Sequence, residues 1–192
     1  SPLDLTSTST PQLQSSPPAP SLPHLTPTGS AHMVSISTKT PTVRTAIAVG
    51  TVSFSNPTPL SLIRTNSLKK GDVLSVARIA GIMAAKMCPE IIPLCHPITL
   101  SHVGVELFLR DPDVNADIGG EMKANLAHWG EVGIEAKVEC TGATGVEMEA
   151  LTAVMGAGLT VVDMCKAVDK GMRIEGVRVV VKEGGRSGAW RE

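Results

Sequence analysis

The chain has 192 residues, with 17 Lys and Arg against 18 Asp and Glu, and a formal net charge of −1. That balance excludes nucleic-acid binding by bulk positive charge, and two Trp, two Phe and no Tyr leave little material for base-stacking platforms. No run approaches the ~20 consecutive apolar residues of a membrane span, so the expectation is no membrane and no nucleic acid as partner.

Residues 1–30 hold 7 Ser, 5 Thr and 7 Pro, with Asp4 the one charged side chain. Such a segment buries too little apolar surface to offset chain entropy, so residues 1–22 are expected to form a disordered arm or inter-domain linker. It lacks the Arg of a transit peptide and the apolar core of a signal peptide. No initiator Met precedes Ser1, as in a piece of a longer protein. Residues 23–192 are then one domain, and from Met33 onward its charges balance at 17 basic and 17 acidic.

Met33–Ser37 reads as a short strand, and Thr45–Phe54 as a second one that alternates over part of its length. Pro57–Ser67 reads as a short helix. Gly71-Asp72 opens a better one, with Asp72 as N-cap and an apolar face of Val73, Val76, Ile79, Ala80, Met83 and Met87. Pro89, Pro93 and Pro97 end that helix and stiffen an extended loop carrying Cys95-His96. Val103, Val105, Leu107 and Leu109 alternate as a strand. Val132–Cys140 is the cleanest strand, with Val132, Ile134, Ala136, Val138 and Cys140 on one side. Gly145–Val168 is a long helix ended by Gly171, and Val177–Val181 is the last strand. The order β-β-α-α-β-β-α-β predicts an α+β sandwich, an antiparallel sheet with helices on one face.

The cysteines, Cys88, Cys95, Cys140 and Cys165, contain no C-x2-C pair. Zinc wants tighter spacing and a disulfide framework suits smaller cores, so reduced thiols in an intracellular compartment are expected. His96, set between two prolines, suits acid–base work or a structural hydrogen bond equally well. Thr141–Glu149 is a Gly/Thr-rich turn into the long helix, a weak anion motif without the Lys of a P-loop. On that helix Glu149 and Asp163 fall within about 40° of one face at about 100° per residue. The same stripe carries Thr152, Gly156 and Thr160, with Leu151, Val154, Leu159 and Val162 opposite. Asp163 and Lys166 are neighbours three apart, either an ordinary ion pair or two groups that tune each other. Lys69-Lys70-Gly71 and Lys182–Gly188 add cations beside glycines, where backbone approaches an anion closely.

Leu94-Cys95-His96-Pro97, Thr141-Gly-Ala-Thr-Gly-Val-Glu-Met-Glu-Ala-Leu-Thr-Ala153 and Asp163-Met-Cys-Lys-Ala167 together resemble the cyclic pyranopterin monophosphate synthase (MoaC) family of molybdenum-cofactor biosynthesis. The likeness runs from near His24 to Trp190. It implies a ferredoxin-like fold and a lyase that converts 3′,8-cyclo-7,8-dihydro-GTP to cyclic pyranopterin monophosphate, releasing diphosphate. It implies hexamers built from dimers, with each site at a dimer interface, and fusion to or cooperation with the preceding radical enzyme. The implied compartment is the mitochondrial matrix for a eukaryotic source and the cytoplasm otherwise. Asp163, Lys166 and Lys70 match catalytic positions, and His96 joins them for proton transfer. Leu94, Cys95 and His96, then Met148-Glu149, match substrate-binding segments, and Glu147, Arg44, Lys182 and Arg186 match positions lining the site. No metal constellation is visible, and a cofactor-independent reaction is expected.

The chain departs from the pattern at Arg186, where Lys is frequent, at Glu183 in the anion loop, at Ala143 and Val162, and in an insertion at about 119–131. Two other readings stand beside the enzyme. One is a non-catalytic nucleotide- or pterin-binding module on the same fold. The other is an RNA-binding ferredoxin-like domain, disfavoured by the missing strand aromatics.

Overall fold

The computed structural model describes residues 25–26, 28–112, 129–186 and 188–192. The chain divides into two compact units, residues 1–34 and 35–192. In the described part of the first, Leu25 bridges to Ala31 across a turn that the Thr26 hydroxyl closes by accepting from the Ser30 N–H at 3.0 Å. The second unit carries the sheet and helices.

Its strands are β1 (Thr42–Ser53), β2 (Leu100–Arg110), β3 (Glu131–Gly142), β4 (Arg173–Glu183) and the short β5 (Trp190–Arg191). They form one antiparallel sheet in the order β2-β3-β1-β4-β5. The helices are α1 (Thr58–Arg64), α2 (Val73–Lys86), α3 (Cys88–Ile91) and α4 (Glu147–Cys165). A β-α-β-β-α-β course with order 4-1-3-2 in its long strands is the ferredoxin-like arrangement, as expected. The predicted strand at Met33–Ser37 is absent. β1 already spends both edges on β3 and β4, and a strand with no ladder partner does not persist. α3 likewise occupies part of the expected extended loop, because Pro89 sits in its first turn, where a missing N–H costs nothing.

β3 behaves as its alternation requires: Val132, Ile134, Ala136, Val138 and Cys140 are all buried. Ala46, Ala48 and Val52 of β1 line the same face, under α4. Ten of the 19 residues of α4 are buried. An 18-residue stretch of it has a mean hydropathy of 1.4, long and apolar enough to cross a membrane, and here that character belongs to a core helix between the sheet and α2.

Asp72 caps α2 as predicted, its carboxylate accepting from the Ser75 N–H at 3.0 Å and from the Ser75 hydroxyl at 2.5 Å. The face of α2 that enters the core is another matter. Val73, Ala77, Gly81 and Ala85 are buried, whereas Val76, Ile79, Met83 and Met87 point outward, Ile79 at 61% exposure. The cause is close packing on α4. A Cβ at Gly81 would lie 2.9 Å from the Ala153 carbonyl, and one at Gly156 would lie 2.4 Å from Ala84 Cβ. Small residues let the two backbones approach, so the larger apolar stripe is left outside. Leu159, expected on the apolar face of α4, is 57% exposed for the same reason. Met155, one turn earlier, is 37% exposed.

Beyond α4 the chain turns on a buried anchor. The Asp169 carboxylate, 2% exposed, accepts from the Ser55 N–H at 2.7 Å, the Gly171 N–H at 2.9 Å and the Ser55 hydroxyl. This ties the end of β1 to the start of β4.

Candidate active site

The residues singled out in the sequence gather at the two ends of α4. At its C-terminal end, Lys70 Nζ donates to Asp163 Oδ2 at 2.6 Å and to the Asp163 carbonyl at 2.9 Å. Lys166 Nζ donates to Asp163 Oδ1 at 2.5 Å. Lys70 arrives from the turn before α2, where Gly71 has φ +92° and nothing within 4 Å of where a Cβ would sit. The lysines are half exposed, and both hydrogen-bond the carboxylate. First the Lys166 hydrogen bond and then that of Lys70 hold the Asp163 carboxyl down at about 2. Asp163 thus serves here as the common acceptor of both lysine ammonium groups.

At the N-terminal end a pocket of about 710 Å³ opens between the start of β1, the α4 entry turn and the end of β4. Arg44, Glu147, Lys182 and Arg186 line it, and Lys39 joins them. Four cations face one carboxylate there, so the pocket is built for an anion. Arg44 is held by Nε donating to the Gly142 carbonyl at 3.2 Å. Gly184 and Gly185 follow β4 with φ +91° and +80°. A Cβ at Gly185 would meet Arg44 Nη1 at 2.0 Å, so the glycine makes room for the guanidinium. Glu183, noted in the sequence as a departure in this loop, is not among the pocket-lining residues and pairs with Arg191 of β5 at 2.7 Å.

Beside the pocket lies Glu149, 3% exposed, whose carboxyl burial pushes up. The Cys88 thiol is in hydrogen-bonding contact with it and with Cys95, and the Thr152 hydroxyl is 3.6 Å from the Cys88 sulfur. Burial raises Cys88 to about 12 and also raises Cys95, so both thiols are poor nucleophiles. These contacts link Cys95, through Cys88, to Glu149 and Thr152 in the first turns of α4. His96, the next residue along from Cys95, is half-buried.

Glu147 and Asp163 are thus separated along α4 by 16 residues, about 24 Å at 1.5 Å per residue. Helical phase had put Glu149 and Asp163 on one face, but they stand at opposite ends of it. Sequence reasoning missed Lys39 and the hydroxyls of Thr38, Thr40, Thr42 and Thr144, all of which line the pocket. The signal was there in Thr38-Lys-Thr-Pro-Thr42, a hydroxyl-rich run holding a cation. It also missed Cys88 as the contact of Glu149. The insertion at about 119–131, apart from its last three residues, lies outside the described residues, as does the arm at 1–22.

Comparison with known proteins speaks to the whole unit. The model of the MoaC family matches residues 33–185. The chain is 52% identical over 170 residues to the cyclic pyranopterin monophosphate synthase of Chloroflexus aggregans, covering 88% of this chain and 93% of that protein. It is 53% identical over 171 residues to the synthase of Methylobacterium nodulans, covering 89% and 96%. With the Rhodospirillum rubrum synthase it shares 50% over 177 residues, 90% and 96% of the two chains. With that coverage, and with a ferredoxin-like sheet carrying the motif residues at the two ends of its central helix, the chain belongs to the MoaC family.

Proposed function

We propose that this protein is a lyase of molybdenum-cofactor biosynthesis, converting 3′,8-cyclo-7,8-dihydro-GTP to cyclic pyranopterin monophosphate with release of diphosphate. The proposal rests on the pocket at the N-terminus of α4, where four cations surround one carboxylate. Lys39, Arg44, Lys182 and Arg186 suit a polyphosphate, and the start of α4 adds the positive end of a helix dipole. Closing the cyclic phosphate expels diphosphate, and cations on the leaving charge stabilise it as it develops. Ring opening and pterin closure need several proton transfers. His96 and Glu149 are the groups proposed for these at one end of α4, and Lys70 and Lys166 at the other. Asp163 positions both lysines and balances one of their charges.

Neither cluster is a complete site, and a nucleotide does not span about 24 Å of helix. We therefore propose a homo-oligomer in which the Lys70–Asp163–Lys166 cluster of one protomer faces the pocket of another. The outward stripe of Val76, Ile79, Met83 and Met87 with Met155 and Leu159 supports this, since so much exposed apolar surface on one helical layer marks an interaction face. Dimers assembling into hexamers are the form the resemblance implies. Of the wider expectations, the bacterial relatives favour a cytoplasmic enzyme, and a fused or cooperating radical enzyme would supply the substrate.

Incubating the purified protein with the cyclic dihydro-GTP, and following diphosphate and pterin, tests the activity. Turnover that Asp163→Ala and Lys166→Ala abolish is expected. A folded wild-type protein that binds the nucleotide without releasing diphosphate would instead favour the non-catalytic binding module.

A further inference from the structure

Within the pocket the cations are not equivalent. Among the described residues Lys182 has an ion-pair partner, Glu147 Oε1 at 2.7 Å, both side chains being half-buried, while Lys39, Arg44 and Arg186 have none. Glu147 is the first residue of α4, and the N-cap Val146 contributes no side-chain hydrogen bond to that helix end. Its carboxylate is folded back over the entry turn, so that a Cβ at Gly145 would lie 1.8 Å from Oε2. A carboxylate so placed occupies the position an incoming phosphate oxygen would take, against a cation and at the positive end of a helix.

We propose that Glu147 is a resident anion of the polyphosphate pocket. It holds Lys182 in the empty protein, yields it to phosphate on binding and reclaims it as diphosphate leaves. The inference deepens the proposed function and rests on the reading of this pocket as the polyphosphate site. The charges favour the exchange in both directions. A polyphosphate carries several negative charges against one on the carboxylate, so it displaces Glu147 from Lys182. Once displaced, the carboxylate stays within a few ångströms of the bound anion and repels it, which speeds departure of a product that four cations would otherwise retain. Gly145 is then required not for backbone conformation but for the space the resting carboxylate fills.

The test is calorimetric binding of inorganic diphosphate to the full chain, with turnover of the cyclic dihydro-GTP measured in parallel. Glu147→Gln keeps the shape and removes the charge, and it is expected to bind diphosphate about tenfold more tightly. Product inhibition should strengthen, and kcat should fall with KM. Gly145→Ala pushes the carboxylate off Lys182 without removing it. It should tighten binding in the same direction and serves if Glu147→Gln does not fold. Unchanged or weakened diphosphate binding in both variants overturns the inference, and makes Glu147 an ordinary ligand of the pocket. Tightened binding without wild-type turnover keeps the resident anion and rejects the substrate. Turnover without tightening rejects the resident anion alone.

Discussion

The separation of the two clusters along α4 makes a prediction that a self-contained site does not. Asp163→Asn disables the C-terminal cluster, removing the charge that holds Lys70 and Lys166 in place. Arg44→Met disables the pocket at the other end of the helix. Each variant alone should lose about 10²–10⁴-fold in rate, the usual scale for a lost acid–base or charge-stabilising group. When the two are unfolded and refolded together, half of the dimers carry one of each subunit. In a two-fold dimer whose sites draw one cluster from each protomer, such a pair has one site with both defects and one with neither. Activity should return to about a quarter of wild type, since half the dimers then have half their sites intact. Differently tagged subunits, purified through both tags, verify that mixed species formed, and diphosphate release measures the recovery. Mixed species present at full yield with activity no higher than either parent would refute the shared site. So would a variant that keeps wild-type rates.

The other predictions concern the frame and its charges. Gly156→Val drives side chain into Ala84 and the Ala80 carbonyl and should cost about 1–3 kcal/mol, read as a fall in urea midpoint at constant m-value. Asp169→Ala leaves the Ser55 and Gly171 amides without their acceptor and should cost about 2–4 kcal/mol in the same assay. Carboxyl NMR should find Asp163 titrating near 2, and higher in Lys166→Met, which removes the leading cause of the shift. Because that pKa is depressed, ionised Asp163 favours the folded chain above its ordinary value of 3.8, and the contribution is lost as pH falls through about 2. Deleting residues 1–22 should leave turnover and melting temperature unchanged; a folded but inactive truncation would give the arm a role in the site.

Much of the fold could be read because the long strands alternate over at least part of their length. β3 alternates in sequence, and all five residues expected on its inner side are buried, with Gly133 of the other side buried as well. α2 was harder because it has two apolar stripes. A hydrophobicity scale ranks Val76, Ile79, Met83 and Met87 above Ala77, Gly81 and Ala85, yet interhelical distance selects the small set, and that distance belongs to the partner helix. The site divided in the same way. Motifs named Arg44, Glu147, Lys182 and Arg186, and all four line one pocket. Angular phase joined Glu149 to Asp163, but phase carries no information about distance along the axis. The partner of Glu183, Arg191, was not legible because it comes from a two-residue strand too short to leave a pattern.

The exposed stripe and the divided site follow from one choice of packing. Small residues on α2 and α4 bring the helices together, and this spends the compact side of α2 on the core while turning its bulky side outward. The same α4, because it runs the length of the sheet, carries one charged cluster at each end. On the proposed function such a protein has a surface to bury and a site to complete, and association of copies would answer both. Its near-zero net charge fits this, since protomers with balanced charge do not repel one another as they assemble. The excess positive charge is concentrated in the pocket and in the Lys70–Asp163–Lys166 cluster, local sites that suit a small polyanion rather than a polymer.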